Sequence, residues 1–130
     1  MMTIEKKFAA FAKSKFRSHF KLDPKDCAYI RERGAAAIQS HARDFIKKRL
    51  APKDSPNDGK QTPLTGHPVF KAQHATATCC RGCLEKWHHI DHRHPLTPEE
   101  IQYVVGVILR WIEHQLKKEA GDIGTHSIIG

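Results

Sequence analysis

The feature of this sequence that most constrains its fold is a helix start followed by a long, regular apolar pattern. In Thr97-Pro98-Glu99-Glu100, the Thr97 hydroxyl and the Glu100 carboxylate can each bind a backbone N–H of the first helical turn. The sequence therefore predicts a helix over 98–120 that stops near Gly121 and forms the spine of the core. Its apolar face consists of residues spaced three or four apart: Ile101, Val104, Val105, Ile108, Trp111, Ile112 and Leu116.

The rest of the chain repeats the helical period, and no segment alternates convincingly between apolar and polar residues. Residues 4–20 and 35–50 each place apolar side chains on one face, and Asp23 with Pro24 starts a short helix between them. Residues 51–66 contain three prolines and two glycines and predict a long irregular loop. A chain of 130 residues can bury one core. We expect an all-α, single compact domain of about five helices.

This single domain, covering residues 1–130, is expected to have five parts in chain order. They are basic N-terminal helices at 4–50, the loop at 51–66, a Cys/His-rich segment at 67–90, the C-terminal helix at 98–120 and a tail at 121–130.

Positive charge is concentrated near the N-terminus. Residues 1–53 hold 14 Lys and Arg against 5 Asp and Glu, a net charge of +9, whereas residues 98–130 hold 3 against 5 and are net −2. A polyanion such as nucleic acid gains affinity from each Lys or Arg that contacts a phosphate. The alternative is a solvated surface that keeps the protein soluble. The residues assigned to a nucleic-acid-binding basic face are Lys6, Lys7, Lys13, Arg17, Arg43, Lys47, Lys48 and Arg49.

The sequence shows no membrane or export signal. No segment approaches the roughly 18 consecutive apolar residues of a membrane span, and the N-terminus lacks the apolar run of a secretory signal. We therefore expect a cytoplasmic protein with no membrane partner. In a reducing compartment, clustered cysteines are more typical of a metal site or of thiol catalysis than of disulfides.

Three of the four cysteines lie close together in the Cys/His-rich segment. Cys80 and Cys83 form a C-x-x-C pair, the spacing at which one knuckle supplies two thiolates to zinc, with Zn–S bonds of about 2.3 Å. If residues 76–87 form a helix, Cys80 lies about 60° and Cys79 about 40° from Cys83 around its axis. Either pair can then share a metal ion.

The same segment supplies histidines for the remaining coordination positions. His74 or His67 can fold back and complete a tetrahedron with the cysteines. His88 lies about 140° from Cys83 around the predicted helix, so it can join only if that helix ends early. Zinc is the leading metal because mixed thiolate and imidazole ligands suit it. An iron-sulfur cluster is less favoured, because Cys79, Cys80 and Cys83 would still need a fourth ligand.

Two other interpretations of the cysteines remain open. The helix face that carries Cys80 and Cys83 also carries Leu84 and Trp87, and free cysteine is among the most buried residue types, so the thiols can simply be part of the core. Cys79 beside a histidine can also serve a thiol enzyme, although nothing in the spacing demands it.

Several runs of the central sequence resemble the signature of a known family. These runs are NDGKQTP at 57–63, followed by HPVF and QHATATCCRGCLEKWH. They are similar to those of a bacterial and phage-associated family of small proteins classed as a domain of unknown function, and the similarity extends more loosely from about Lys15 to Trp111. The resemblance implies no activity, cofactor or partner. Cys27, His92 and His94 lie outside these motifs and are poorer candidates for a shared site.

These observations favour a small zinc-stabilised helical module that binds nucleic acid through its N-terminal basic face. One alternative is a metal- or thiol-dependent enzyme with a pocket between the loop at 51–66 and the Cys/His-rich segment. The other is a metal-free interaction protein with cysteines in its core.

Overall fold

The computed structural model describes residues 2–53 and 57–123, with side chains described as far as Glu119. Within these residues the chain forms six helices and no strand, which confirms the all-α prediction. A 3-10 turn, Arg17–His19, follows the first helix, and a π-helical turn, Ile46–Leu50, extends the third. The helices are α1 Ile4–Lys13, α2 Pro24–Arg33, α3 Ala35–Phe45, α4 Pro68–Ala75, α5 Arg81–His88 and α6 Pro98–Ile123.

Helix α6 is the spine of the core, as the sequence predicts. The capping box is formed, because the Glu100 N–H donates to the Thr97 hydroxyl at 3.1 Å and the Thr97 N–H donates to the Glu100 carboxylate at 2.9 Å. Val104 and Ile108 are fully buried where α6 packs against α3 and α4. The helix continues to Ile123, past the stop predicted at Gly121. Of the predicted tail, residues 124–130 lie outside the described residues.

The N-terminal helix is shorter than the prediction of 4–20. It ends at Lys13, because Ser14 is extended and its hydroxyl accepts a hydrogen bond from the Arg17 N–H, starting the 3-10 turn. Phe16 is consequently 55% exposed instead of packing on the helix face. The turn directs Arg17 towards the centre of the molecule, where its guanidinium donates to the His74 carbonyl at 2.7 Å.

The Cys/His-rich segment forms two helices, and the helix considered over 76–87 begins only at Arg81. His67 caps α4 and Pro68 is its first residue. Helix α4 ends at Ala75. The Thr76 hydroxyl donates to the Ala72 carbonyl at 2.7 Å, and Ala77 adopts a positive φ of 58°. Helix α5 begins only after Cys80, so the thiols lie at a helix start and not along a helix face.

Arg81 is one of the most buried side chains, with 2% exposure. Its guanidinium donates to five backbone carbonyls, which belong to Leu50, Ala51, Pro52, Asp91 and His94. The first three are carbonyls at the end of the α3 and π-helical unit, where a cation also complements the helix dipole. Arg81 thereby fixes the first turn of α5 against the centre of the fold.

Candidate metal centre

Three cysteine sulfurs converge at the start of α5. The Sγ atoms of Cys79, Cys80 and Cys83 all lie within 4.8 Å of one another, and those of Cys79 and Cys83 are 3.8 Å apart. Zinc with Zn–S bonds of about 2.3 Å in a tetrahedron requires sulfurs about 3.8 Å apart. The structure therefore brings together the three predicted cysteine ligands in an arrangement that could hold a metal ion. We call these residues the cysteine cluster.

Helix geometry places two of the three thiols. Cys80 is the N-cap of α5, and its sulfur accepts a hydrogen bond from the Cys83 N–H at 3.4 Å. Cys83 lies in the first turn, where the positive end of the helix dipole favours a thiolate. Cys79 precedes the helix, and its carbonyl accepts a hydrogen bond from the Thr62 hydroxyl at 2.8 Å. Cys79 and Cys80 are each 7% exposed, whereas Cys83 is partly exposed.

The NDGKQTP run folds onto the same helix start. The Asp58 carboxylate accepts the Arg81 N–H at 2.9 Å and the Gly82 N–H at 3.2 Å, so it caps α5 from outside the helix. Gln61 donates to Asp58 at 2.8 Å and holds the carboxylate in place. A Cβ at Gly82 would lie 2.9 Å from Asp58, which explains glycine within this C-x-x-C.

These contacts lie where the sequence predicted an enzyme pocket, between the loop at 51–66 and the Cys/His-rich segment. At Asp58 and Thr62 the loop is hydrogen-bonded directly to residues 79–82.

The pKa values of the three thiols in the cysteine cluster are shifted in different directions. Hydrogen bonds from Cys79 and Cys80 hold the pKa of the Cys83 thiol well below its ordinary range, and the guanidinium of Arg17, 3.4 Å away, lowers it further. The pKa of Cys79 is raised by its hydrogen bonds to Cys80 and Cys83 and by burial. The bond from Cys79 lowers the pKa of Cys80, but the bond to Cys83 and burial outweigh it, so the net shift is upward. Without a metal, these shifts favour the thiolate at Cys83 and the thiol at Cys79 and Cys80.

The predicted histidine ligands His67, His74 and His88 lie outside the cysteine cluster, and each makes a hydrogen bond through at least one ring nitrogen. Nδ1 of His67 accepts the Val69 N–H at 3.0 Å, so Nε2 carries the proton and faces His41 at 3.2 Å. Burial, and secondarily the neighbouring His41, lowers the pKa of His67 to about 4. Nε2 of His74 lies 3.1 Å from both the Thr62 and the Pro63 carbonyls and therefore donates to them.

His88 is the most completely engaged of these histidines. Its Nε2 lies 2.8 Å from the Thr76 carbonyl and its Nδ1 lies 2.8 Å from the Tyr103 hydroxyl. A neutral ring satisfies both contacts by donating through Nε2 and accepting through Nδ1. Burial, together with the positive charges of Lys7 and Arg17, lowers the pKa of His88 to about 4.

A second group that could hold a metal was not predicted from the sequence. Glu85 in α5, with Asp91 and His92 after it, offers three ligand atoms within 4.8 Å of one another. However, Arg93 binds Asp91 through two nitrogens, and His92 pairs with Glu85 at 2.9 Å. These side chains are already engaged with one another and with Arg93, and exposed acidic groups of this kind are common without an ion.

The predicted basic face separates into residues with internal contacts and residues that project into solvent. Lys7 is buried against Tyr103, Arg17 contacts Cys83, and Arg49 lies over Phe45 and Phe70. Arg43 is half-buried. The exposed members are Lys6, Lys13, Lys47 and Lys48. The contact between Arg17 and Cys83 was missed, because residues 66 positions apart give no local signal.

Comparison with known proteins identifies the family but no relative of known structure. No solved structure matches the chain. Among the residues described, none of the helices combines the length and the apolar character needed to cross a bilayer. Residues 5–113 match a family described as a domain of unknown function, DUF4186. This match covers every helix from α1 to the middle of α6 and includes the whole cysteine cluster, and the chain therefore belongs to the DUF4186 family.

Proposed function

We propose that the cysteine cluster binds one zinc ion and that the protein is a zinc-stabilised helical module. The observation that carries this proposal is the convergence of three sulfurs within 4.8 Å. Thiolates favour zinc among the common divalent ions. The fourth cysteine, Cys27, lies in α2 and outside the cysteine cluster, so a four-cysteine iron-sulfur site lacks a ligand among the described residues.

A bound ion would link the connector that follows α4 to the start of α5. Cys79 ends the connector from α4, Cys80 caps α5, and Cys83 lies in its first turn. A connector with a positive φ at Ala77 stores some strain, and a metal ion that binds on both sides of the helix start would stabilise it. The metal is thus expected to contribute directly to folding.

The test is metal analysis of protein purified without an affinity tag. We expect about one zinc ion per chain in the unmodified protein. The variants Cys79→Ala, Cys80→Ala and Cys83→Ala should each lose most of it, whereas the buried control Cys27→Ala should retain it. If the protein stays metal-free with zinc added at micromolar concentration, and its thiols are unreactive before and after chelation, the cysteines serve only as core residues, as in a metal-free interaction protein.

We further propose that the module binds nucleic acid through the exposed lysines of α1 and of the π-helical turn. The supporting observation is that Lys6, Lys13, Lys47 and Lys48 are exposed and take no part in an ion pair among the described residues. Exposed lysines without acidic partners can neutralise phosphates and release counterions. Lys7, Arg17 and Arg49 contribute less, because internal contacts hold their charged groups.

Fluorescence anisotropy with duplex and single-stranded DNA and RNA at low salt tests this second proposal. Replacing Lys6, Lys13, Lys47 and Lys48 by Gln should weaken binding and reduce its salt dependence by as much as about four counterions. The matched control replaces two exposed lysines of α6, Lys117 and Lys118, and should have a smaller effect. Absence of binding, or binding that does not depend on salt, would exclude the proposal.

A further inference from the structure

The cysteine cluster supplies three ligands, whereas a closed structural zinc site has four. Among the described residues, no imidazole nitrogen lies within 4.8 Å of all three sulfurs. His67 and His88 use both ring nitrogens in hydrogen bonds, and His74 donates its Nε2 proton to two carbonyls. No carboxylate belongs to the cysteine cluster among the described residues. A metal bound there would keep one coordination position that no described side chain fills.

The accessible side of the cysteine cluster is the side of Cys83. Cys79 and Cys80 are buried, and Cys83 is partly exposed. Arg17 lies at this side, with one guanidinium nitrogen 3.4 Å from the Cys83 sulfur and the other held by the His74 carbonyl. Any external ligand would therefore approach a metal ion beside a fixed cation. Three thiolates already outweigh the charge of a divalent ion, so a neighbouring cation favours the binding of a further anionic ligand.

We propose that the open position takes the thiolate of a small, acidic thiol compound, held in place by Arg17. This inference rests on the metal site proposed above. A site of three sulfurs is soft and prefers sulfur as its fourth ligand. Arg17 also lines a cleft of about 420 Å³ that includes Lys21 and Lys118. Cations in that cleft favour a thiol that also bears a carboxylate.

The proposed binding step is a ligand exchange without electron transfer. The thiol S–H bond breaks and its proton passes to the buffer. The sulfur lone pair forms the bond to the metal, and the water that occupied the position leaves. Metal coordination keeps the bound sulfur deprotonated at neutral pH, which is the form that acts as a nucleophile. The cysteine cluster would thus bind and activate an external thiol.

Cobalt provides the readout, because a Co²⁺ ion in the zinc site reports its ligands by absorption. The cobalt-loaded protein is titrated with 3-mercaptopropionate and, separately, with 3-hydroxypropionate, which has the same carboxylate but no thiol. We expect a saturable increase in the sulfur-to-cobalt charge-transfer band with the thiol only, while cobalt remains bound through gel filtration. No change with the thiol, or the same change with the hydroxy acid, would overturn the inference.

Substitutions of Arg17 test whether its guanidinium contributes to thiol binding. Arg17→Gln should weaken thiol binding by at least about tenfold, as expected for loss of a charge-assisted contact, and Arg17→Lys should recover part of it. The surface control Arg110→Gln, whose guanidinium pairs with Glu5, should bind as the unmodified protein does. Equal thiol affinity in Arg17→Gln and Arg110→Gln would remove Arg17 from the proposal. Failure of the protein to bind cobalt at all would instead refute the metal site itself.

Discussion

The cysteines and the histidines of the Cys/His-rich segment differ in what their side chains remain able to do. The three cysteines point their sulfurs at one another, and the guanidinium of Arg17 contacts the sulfur of Cys83 from outside the cluster. The histidines hydrogen-bond to backbone groups and to Tyr103, and so join separate parts of the fold. One short segment therefore supplies both a reactive group and part of the framework that positions it. From the sequence, both the cysteines and the histidines were candidate metal ligands, and the residue types alone did not show which of them join parts of the fold.

The largest effect that tests this difference is removal of the metal. If free zinc is a thousandfold above its dissociation constant, chelation should lower the free energy of unfolding by about 4 kcal/mol. Urea unfolding with and without chelator measures the change. Cys27→Ala should show the same dependence on chelator and Cys83→Ala should show none. Equal sensitivity in both variants would mean that the cysteine cluster is not where the metal acts.

Replacement of a histidine should instead destabilise the protein without removing its metal. His88→Leu leaves the Thr76 carbonyl and the Tyr103 hydroxyl without their partner and should cost about 2–4 kcal/mol, measured by urea unfolding of metal-free protein. At saturating zinc the variant should still bind one ion. The exposed control His92→Leu should change stability by less than about 0.5 kcal/mol. Loss of zinc with unchanged metal-free stability would make His88 a ligand.

Lowering the pH should change the free energy of unfolding by an intermediate amount. The folded-state pKa values of His67 and His88 are about 4, below the ordinary value of 6.5. The unfolded chain therefore takes up these protons first, so the contribution of the two histidines to the free energy of unfolding should be constant above about pH 6.5 and fall as the pH drops towards 4. Metal-free protein removes the competition between protons and metal, and the lowered pKa of Cys83 affects the unmodified protein and a histidine variant alike, so it cancels in their difference. His88→Leu should lose less stability across the same window, and an identical profile would contradict the assignment.

The sequence predicted those parts of the fold whose causes are local. The capping box and the apolar period of α6 lie in consecutive residues, and the structure confirms both. The convergence of the cysteines was predicted because they are at most four positions apart. The surroundings of the histidines and of Arg81 were not, since their partners lie in the loop at 57–63, at the end of α3 or in α6. A helical wheel contains no information on such distant carbonyls.

The smallest test concerns His67, whose Nδ1 caps α4. Asparagine can accept the same Val69 N–H, whereas alanine cannot, so His67→Ala should be about 1 kcal/mol less stable than His67→Asn. Both variants lose the ring contacts with Tyr29, Phe45 and Phe70, so their difference in urea unfolding isolates the cap. Zinc content should be unchanged in both. A zinc deficit shared by both variants, with equal stability, would show that His67 serves the metal and not the helix.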